Sequence, residues 1–370
     1  MYLFLTQCFA SKVGGIENLM TNFAISLAKF DEVNVFADSH FFIQDKIFDL
    51  EHKKTLKIFR YGGLKFFRRY KKAKDVKLII KNNDNINING IISDTWKSLE
   101  LCIDEIDKKK IPVMCLAHGN ELIYKNDNKK NRLTKTLSKV NMIVANSNYT
   151  ADLLTKLQIN KNKIFVVNPG ATDLRFLKSK KTYDFKGSPI LLTLARLEKR
   201  KGHEKVIKIF NKLKKDFPNI IYLIAGNGPE KKYLENLVKK YNLSESVFFI
   251  GTINDFQKKE IFELSTLHVM PTTNESESGS IEGFGISFIE AAMFGLTSIA
   301  TDVGGTSDAI INNNTGILLK NDDDFYFIIR DLLKNKAELL RLGNNAKARA
   351  NKEFNWDKVV KNYLQIFESN

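Results

Sequence analysis

Short runs of consecutive apolar residues alternate along nearly the whole chain with stretches whose apolar positions recur every three or four residues. The runs are rich in Val, Ile, Leu and Phe and predict strands buried on both faces, and the periodic stretches predict amphipathic helices. In the first half, strands are expected at Tyr2–Thr6, Val33–Ala37, Gly90–Ser93, Val113–Ala117, Met142–Ala145 and Ile164–Val167, with helices at Ile16–Lys29 and Tyr149–Leu157. A polar segment over 169–187, carrying Pro169, Gly170 and Gly187, breaks this rhythm and is expected to be a linker. A second series follows: strand Ile190–Ala195, helix His203–Lys215, strand Ile220–Ala225, helix Lys231–Tyr241 and strand Val247–Ile250. It continues with helix Phe256–Leu264, strand Leu267–Met270, helix Ile286–Phe294 and strands Ser298–Thr301 and Gly316–Leu319. Helical stretches at 323–334, 336–350 and 356–368 close the chain. Strands alternating with helices give an α/β class with two doubly wound parallel sheets in tandem, over 1–170 and 187–355. Ligands of such folds bind at the loops that follow the carboxyl ends of strands, here expected to line a cleft between the domains.

Composition narrows the class. At 370 residues, 43% apolar and 27% charged, the chain has material for two or three cores and is not a disordered polymer. Cys8, Cys102 and Cys115 are too few and too scattered for a disulfide framework or a zinc site, which suits a reducing compartment. No apolar run reaches the roughly 18 residues of a spanning helix. The opening Met1-Tyr2-Leu3-Phe4-Leu5 has no basic flank or cleavage site, so it is expected to be a strand and the protein soluble or peripheral and intracellular.

The net charge of +16 is unevenly placed. Residues 1–185 carry 32 basic and 19 acidic side chains, whereas 186–370 carry 26 and 23, so a lysine-rich genome alone does not explain the excess. It gathers between Lys53 and Lys81, where twelve basic residues face the single acid Asp75 and aromatics interleave at Phe59, Tyr61, Phe66, Phe67 and Tyr70. Lys65, Phe66, Phe67, Arg68, Arg69, Lys71 and Lys72 are therefore candidates for docking on an anionic membrane. A solvated helix or loop face has the same composition, and nucleic acid is attracted by the same field.

Candidate chemistry concentrates in the second half. Glu282 and Glu290 flank Gly283-Phe284-Gly285-Ile286. Eight helical positions make about 2.2 turns, so two helical glutamates would not face one spot; the first is expected in a loop and the second inside the following helix. Such a pair grips hydroxyls at both ends of a long ligand, while backbone N–H groups of Phe284, Gly285 and Ile286 and the helix dipole receive an anion between them. A phosphate flanked by two sugars has this shape. After strand Ile190–Ala195, Arg196 and Lys201 are placed to converge on a diphosphate and stabilise it as a leaving group. Gly14 and Gly15 open the first helix, where glycine permits positive φ and close approach of a ligand. His118 ends the strand Val113–Ala117, Ile253 follows the Gly251 turn, and both are candidates to line the pocket. No dinucleotide or phosphate-loop glycine pattern and no Asp-x-Asp at a strand end of the second domain is present; Asp322-Asp323-Asp324 is expected to cap a helix, so neither metal nor cofactor is anticipated.

These residues carry a resemblance. Thr193-Leu-Ala-Arg196, Lys201-Gly202, Ala225-Gly-Asn-Gly-Pro229, Phe249-Ile-Gly251, Met270-Pro271, the Glu282…Glu290 pair and Asp302-Val-Gly-Gly305 resemble the retaining, nucleotide-sugar-dependent glycosyltransferases of family 4. Asn146-Ser147, Asn168-Pro-Gly170 and Gly14-Gly15-Ile16-Glu17 extend the likeness into the first half, and Ser280-Ile-Glu-Gly-Phe-Gly-Ile286 is most similar to the branch holding phosphatidylinositol mannosyltransferases. The resemblance implies the GT-B fold, an acceptor-binding first domain, a donor-binding second domain and a last helix, 356–370, that returns to the first. It implies that Glu282 holds the donor sugar, Glu290 the ribose, Arg196 and Lys201 the diphosphate, that Gly15 approaches the phosphates and that His118 lies near the transferred sugar. The expected reaction is metal-independent transfer of a hexose, with UDP-sugar favoured as donor, to a membrane lipid such as diacylglycerol at the inner face of a bacterial cell membrane. A lipopolysaccharide or other saccharide acceptor, with GDP-mannose or a UDP-sugar as donor, is the alternative. A nucleic-acid partner leaves Glu282, Glu290, Arg196 and Lys201 unexplained and is not expected.

Overall fold

The computed structural model describes residues 1–369 apart from 83–86, 125, 179, 274–279 and 321–324. The chain forms two compact units, Met1–Gly170 together with Trp356–Asn370, and Ala171–Asn355. The first unit contains β1 (Tyr2–Thr6), α1 (Gly15–Leu27), β2 (Val33–Asp38), α2 (Phe42–His52), β3 (Lys57–Tyr61), α3 (Lys65–Lys81) and β4 (Gly90–Ser93). It continues through α4 (Trp96–Leu99), α5 (Ile103–Lys108), β5 (Val113–Ala117), α6 (Asp127–Ser138), β6 (Met142–Ala145), α7 (Asn148–Lys156) and β7 (Ile164–Val166). All seven strands are parallel, in the order β3-β2-β1-β4-β5-β6-β7. β1 and β2 are buried along their whole lengths, as helix-covered parallel strands must be.

The second unit repeats the plan. Its elements are β8 (Ile190–Leu194), α8 (His203–Asp216), β9 (Ile221–Ala225), α9 (Lys231–Lys240), β10 (Val247–Gly251), α10 (Asp255–Leu264) and β11 (Leu267–Met270), then α11 (Ile286–Met293), β12 (Ser298–Thr301), α12 (Thr306–Ala309), β13 (Gly316–Leu319), α13 (Phe325–Lys334) and α14 (Lys336–Glu353). Six parallel strands run in the order β10-β9-β8-β11-β12-β13. In both sheets the winding reverses beside the first strand, between β1 and β4 and between β8 and β11, and ligand sites of doubly wound sheets open at that point. Helix α15 (Trp356–Glu368) belongs to the first unit: Tyr363 stacks on Phe23 of α1 at 4.2 Å, and Phe367 packs edge-on against Tyr2 at 5.3 Å.

Three local findings depart from the pattern reading. The described residues of 171–187 belong to the second unit and are not a free linker: Glu260 of α10 accepts from the Thr182 and Tyr183 N–H groups at 2.7 and 2.8 Å, and Lys259 donates to the carbonyls of Arg175 and Leu177. Strand β3 was not anticipated because it is an edge strand whose one fully buried residue is Tyr61. Helices α2 and α3 were missed because α2 buries Asp45 while exposing its aliphatics, and α3 buries only Lys72, Ala73, Val76 and Ile80. The run Asp322-Asp323-Asp324 lies outside the described residues.

Candidate active site

The loop before α11 and the loop after β8 meet at the switch point of the second sheet. Glu282 sits in the first of these loops and Glu290 inside α11, the split anticipated from their spacing. The Glu282 main chain is clamped from behind: Gly305 donates to its carbonyl at 2.9 Å, and Gly304, at φ 59°, lies so close that a β-carbon there would stand 2.2 Å from that carbonyl. The Asp302–Gly305 turn after β12 therefore needs a glycine and holds Glu282 in place. Phe284 is buried among the residues that α11 packs on, which anchors the other side of the loop. Gly283 lies between the two, Gly285 at φ 91° opens α11, and Ile286 is the first helical residue.

The Glu282 side chain is buried and ion-paired. Its Oε2 contacts the Lys201 ammonium and lies 3.2 Å from Arg200. Arg200 also reaches Glu198 at 3.1 Å, and Glu198 holds Arg196 at 2.8 Å. The result is a chain of alternating charges, Arg196–Glu198–Arg200–Glu282–Lys201, running from solvent into the buried loop; Arg196 is at its exposed end. Burial by itself raises the Glu282 carboxyl, and the charges of Lys201 and Arg200 outweigh it and hold the group below the usual carboxylate range. Glu290 is likewise buried, with Lys258 of α10 at 2.7 Å. Burial opposes the Lys258 charge, but Glu290 offsets that cost and raises the ammonium above its ordinary value. Ile253, half-buried before α10, packs against the core of this unit.

Gly14, Gly15 and His118 belong to the first unit. Gly14 caps α1 with φ 174°, an extended conformation open to any residue, so the expectation of a positive φ there is not met. Space is tight there instead: a β-carbon on Gly14 would stand 2.2 Å from a carboxylate oxygen of Glu17, which is buried and paired to Lys12 at 2.7 Å, so a larger residue would displace that side chain. Gly15 is the first residue of α1. His118, directly after β5, places Nε2 2.9 Å from the Asp94 carbonyl oxygen; a carbonyl only accepts, so Nε2 carries a proton. The Asp94 carboxylate, fully buried after β4, receives the Gln7 N–H at 2.7 Å and the Ser98 hydroxyl at 2.6 Å. One residue thus ties the loop after β1 to the histidine after β5.

Comparison with known proteins identifies this architecture. Residues 13–173 match the family described as Glycosyltransferase Family 4, and residues 175–349 match Glycosyl transferases group 1. The chain belongs to the family 4 glycosyltransferases. An uncharacterized glycosyltransferase of Methanocaldococcus jannaschii is 25% identical to it over 389 residues, covering 96% of this chain and 95% of its own. The GDP-mannose-dependent α-(1-6)-phosphatidylinositol monomannoside mannosyltransferase of Mycobacterium tuberculosis is 23% identical over 49% of this chain and 48% of its own. The solved structure of Anabaena HepE in complex with UDP and glucose superimposes with a TM-score of 0.79 at 16% identity over 100% of both chains, and the fold of this glycosyltransferase is GT-B.

Sequence reasoning singled out Glu282, Glu290 and Lys201 but not Arg200 or Lys258, the other cations that the structure brings to the two glutamates. Arg200 adjoins Lys201 and was legible as part of the basic cluster, although nothing marked it as the residue that bridges Glu198 and Glu282. Lys258 lies 32 positions from Glu290 and carries no local signal. The membrane-docking set needs correction. Lys65, Phe66, Phe67 and Lys71 are exposed, but Lys72 is 3% exposed, and its ammonium sits 2.7 Å from the buried Asp38 carboxylate and 2.6 Å from the Thr6 carbonyl. Arg68 pairs with the same Asp38 at 2.8 Å, and Arg69 with Glu100 at 2.9 Å. These three cations fasten α3 to the sheet and to its neighbours, and they are not available to a membrane. No helix among the described residues is long and apolar enough to cross one.

Proposed function

We propose that this glycosyltransferase moves a hexose from a nucleotide sugar, a UDP-hexose in first place, to a hydroxyl of a membrane lipid such as diacylglycerol, with retention of anomeric configuration and without a metal ion. The observation that carries the donor reading is the buried Glu282 carboxylate held by Lys201 and Arg200 beside the first turn of α11. A sugar hydroxyl donates to that carboxylate. The donor diphosphate takes its place among the cations Arg196 and Lys201 and the N–H groups of Phe284, Gly285 and Ile286. Glu290 accepts from the ribose, Ile253 borders the base, Gly14 and Gly15 let the backbone approach the phosphates, and His118 faces the transferred sugar. HepE, whose structure holds UDP and glucose, supports UDP as the nucleotide. The mycobacterial relative, named for a phosphatidylinositol mannoside, supports a lipid acceptor, as do the exposed Phe66, Phe67, Lys65 and Lys71 of α3.

In the proposed step the bond from the anomeric carbon to the diphosphate oxygen breaks, and the acceptor hydroxyl oxygen bonds to the same face of that carbon. The hydroxyl proton passes to the departing diphosphate oxygen, so glycolipid and nucleoside diphosphate are the two products. The protein contributes positioning and charge stabilisation; each preorganised donor to the developing charge is worth about 3–4 kcal/mol of barrier. The test is incubation with vesicles containing diacylglycerol and a mixture of UDP- and GDP-sugars in the presence of a chelator, followed by mass spectrometry of the extracted lipid. A lipid gaining one hexose, from the UDP-sugar, is expected. Donor hydrolysis or transfer to an added saccharide with no glycolipid overturns the acceptor assignment, and activity abolished by the chelator overturns the metal-free one.

A further inference from the structure

The first sheet has its own switch point, between β1 and β4, and Asp94 stands there as the first residue after β4. Its N–H donates to the Leu5 carbonyl at 3.3 Å, which extends the β1–β4 ladder by one step. From that step its side chain and its carbonyl run in different directions. The carboxylate reaches the loop after β1: Oδ2 accepts from the Gln7 N–H at 2.7 Å, the Cys8 N–H at 3.1 Å and the Thr6 hydroxyl at 3.1 Å. Oδ1 accepts from the Ser98 hydroxyl of α4 at 2.6 Å. The carbonyl reaches the neighbour on the other side, β5, and accepts from His118 Nε2 at 2.9 Å.

A fully buried carboxylate held by two N–H groups and two hydroxyls is a costly means of joining strands, since an apolar side chain serves packing alone as well or better. What the arrangement achieves is direction. Four donors meet the four lone-pair sites of the carboxylate, so the group is occupied by the fold and the plane of its own peptide is fixed. The carbonyl of that peptide is what holds the His118 ring. The histidine's main chain is fixed separately: its N–H donates to the Glu121 carboxylate at 2.6 Å, and the Glu121 carbonyl accepts from the buried Trp96 indole at 3.3 Å. With the backbone tied at one end and the ring at the other, the His118 side chain is held in one orientation.

We propose that Asp94 is a positioning residue of the transfer step, which aims His118 through its carbonyl while its carboxylate locks that carbonyl to the loop after β1 and to α4. The inference rests on the placement of His118 at the transferred sugar given above and adds the residue that orients it. Asp94 itself touches no reacting atom, and its charge is not what the role requires. A misplacement of about 1 Å, caused by a residue away from the chemistry, costs about 100-fold in rate. Asp94→Ala leaves the Gln7 and Cys8 N–H groups without their acceptor and frees the peptide. Asp94→Asn preserves the hold, because the amide oxygen still accepts from the loop after β1 and the amide nitrogen donates to the Ser98 hydroxyl, which turns to accept.

Two readouts test this on the full chain. The first is NMR of protein labelled with 15N in its five histidines. The Nε2 proton of His118, identified by its disappearance in His118→Ala, is expected to be visible and slow to exchange. It is expected to be lost in Asp94→Ala and kept in Asp94→Asn. The second is turnover, read as UDP release from UDP-glucose over vesicles containing diacylglycerol. Asp94→Ala is expected to lower kcat about 100-fold, with UDP affinity in calorimetry little changed, and to cause no further loss when added to His118→Ala. Asp94→Asn is expected to keep most of the rate, and Ser98→Ala to lose about fivefold, the scale of one hydrogen bond. Urea midpoints establish that each variant is folded, and if Asp94→Ala is not, Ser98→Ala takes its place in both readouts. A His118 signal unchanged in Asp94→Ala overturns the proposal. So does a loss that multiplies with that of His118→Ala, because Asp94 then acts elsewhere, and so does Asp94→Asn as damaging as Asp94→Ala, because the charge is then what matters. Full turnover by His118→Ala, with the ring signal still dependent on Asp94, overturns the placement of His118 at the sugar and leaves the anchor standing. If the unaltered protein releases no UDP from UDP-glucose, the donor reading falls and the ring signal alone decides for or against Asp94.

Discussion

Glu282 acts through its surroundings. It is buried, charged and shared by Lys201 and Arg200, so its removal has two separable consequences. Glu282→Gln keeps the shape but loses the charge that a donor sugar hydroxyl would meet, and kcat/KM should fall about 100- to 1,000-fold, the scale of losing one preorganised polar contact. It also leaves Lys201 buried without its closest counter-charge, and urea unfolding should show a loss of about 3 kcal/mol. Unimpaired turnover by the folded variant would remove Glu282 from the donor site. Lys258 offers a cleaner separation because it touches Glu290 from a different helix. Lys258→Met should weaken UDP binding about tenfold in calorimetry, since the Glu290 carboxylate proposed to accept from the ribose then loses its fixed position, while Lys258→Arg should keep most of the affinity.

At the level of elements, α3 shows how a basic stretch divides between structure and surface. Lys71 and Lys72 are neighbours in sequence, yet one faces solvent and the other closes the Asp38 pair over β1 and β2. Lys72→Met should cost about 3 kcal/mol in urea unfolding because Asp38 is left buried with Arg68 alone, whereas Lys71→Met should stay within about 0.5 kcal/mol. Equal effects would mean that the clamp does not hold α3. Helix α15 makes the complementary case for apolar packing: Tyr363 is buried and stacked on Phe23, and Tyr363→Ala should destabilise the first unit by about 3–5 kcal/mol.

At the scale of the molecule, acid sensitivity follows from two histidines of the second unit. Burial, reinforced by the Lys201 charge, takes His203 down from 6.5 to about 4 and His268 from 6.5 to about 3. Below the ordinary histidine value the unfolded chain binds protons that the folded chain refuses, so this stability is complete above pH 6.5 and is lost as pH falls toward 4. The loss should reach about 2 kcal/mol for each histidine at about pH 5, read as a falling urea midpoint, and His268→Gln should flatten that fall. A midpoint that holds steady between pH 7 and pH 5 would mean that neither ring resists protonation.

The sequence by itself determined the alternation of strands and helices, because strands buried on both faces must be continuous apolar runs, and it determined that Glu282 lies in a loop and Glu290 inside the following helix, because a loop–helix junction with glycines has a recognisable spelling. It was silent where burial inverts composition. Asp45 inward with Ile43, Ile47 and Leu50 outward on α2, Lys72 inward on α3, and segment 171–187 tied down by Glu260 each read in one dimension as their opposite. Only the tertiary structure could decide these, since the cost of burying a charge depends on whether a counter-charge from a distant strand or helix arrives at hydrogen-bonding distance. The same holds for Lys258 with Glu290 and for Arg200 with Glu282: each pair joins positions far apart in the chain, and no local pattern encodes a meeting that the fold alone brings about.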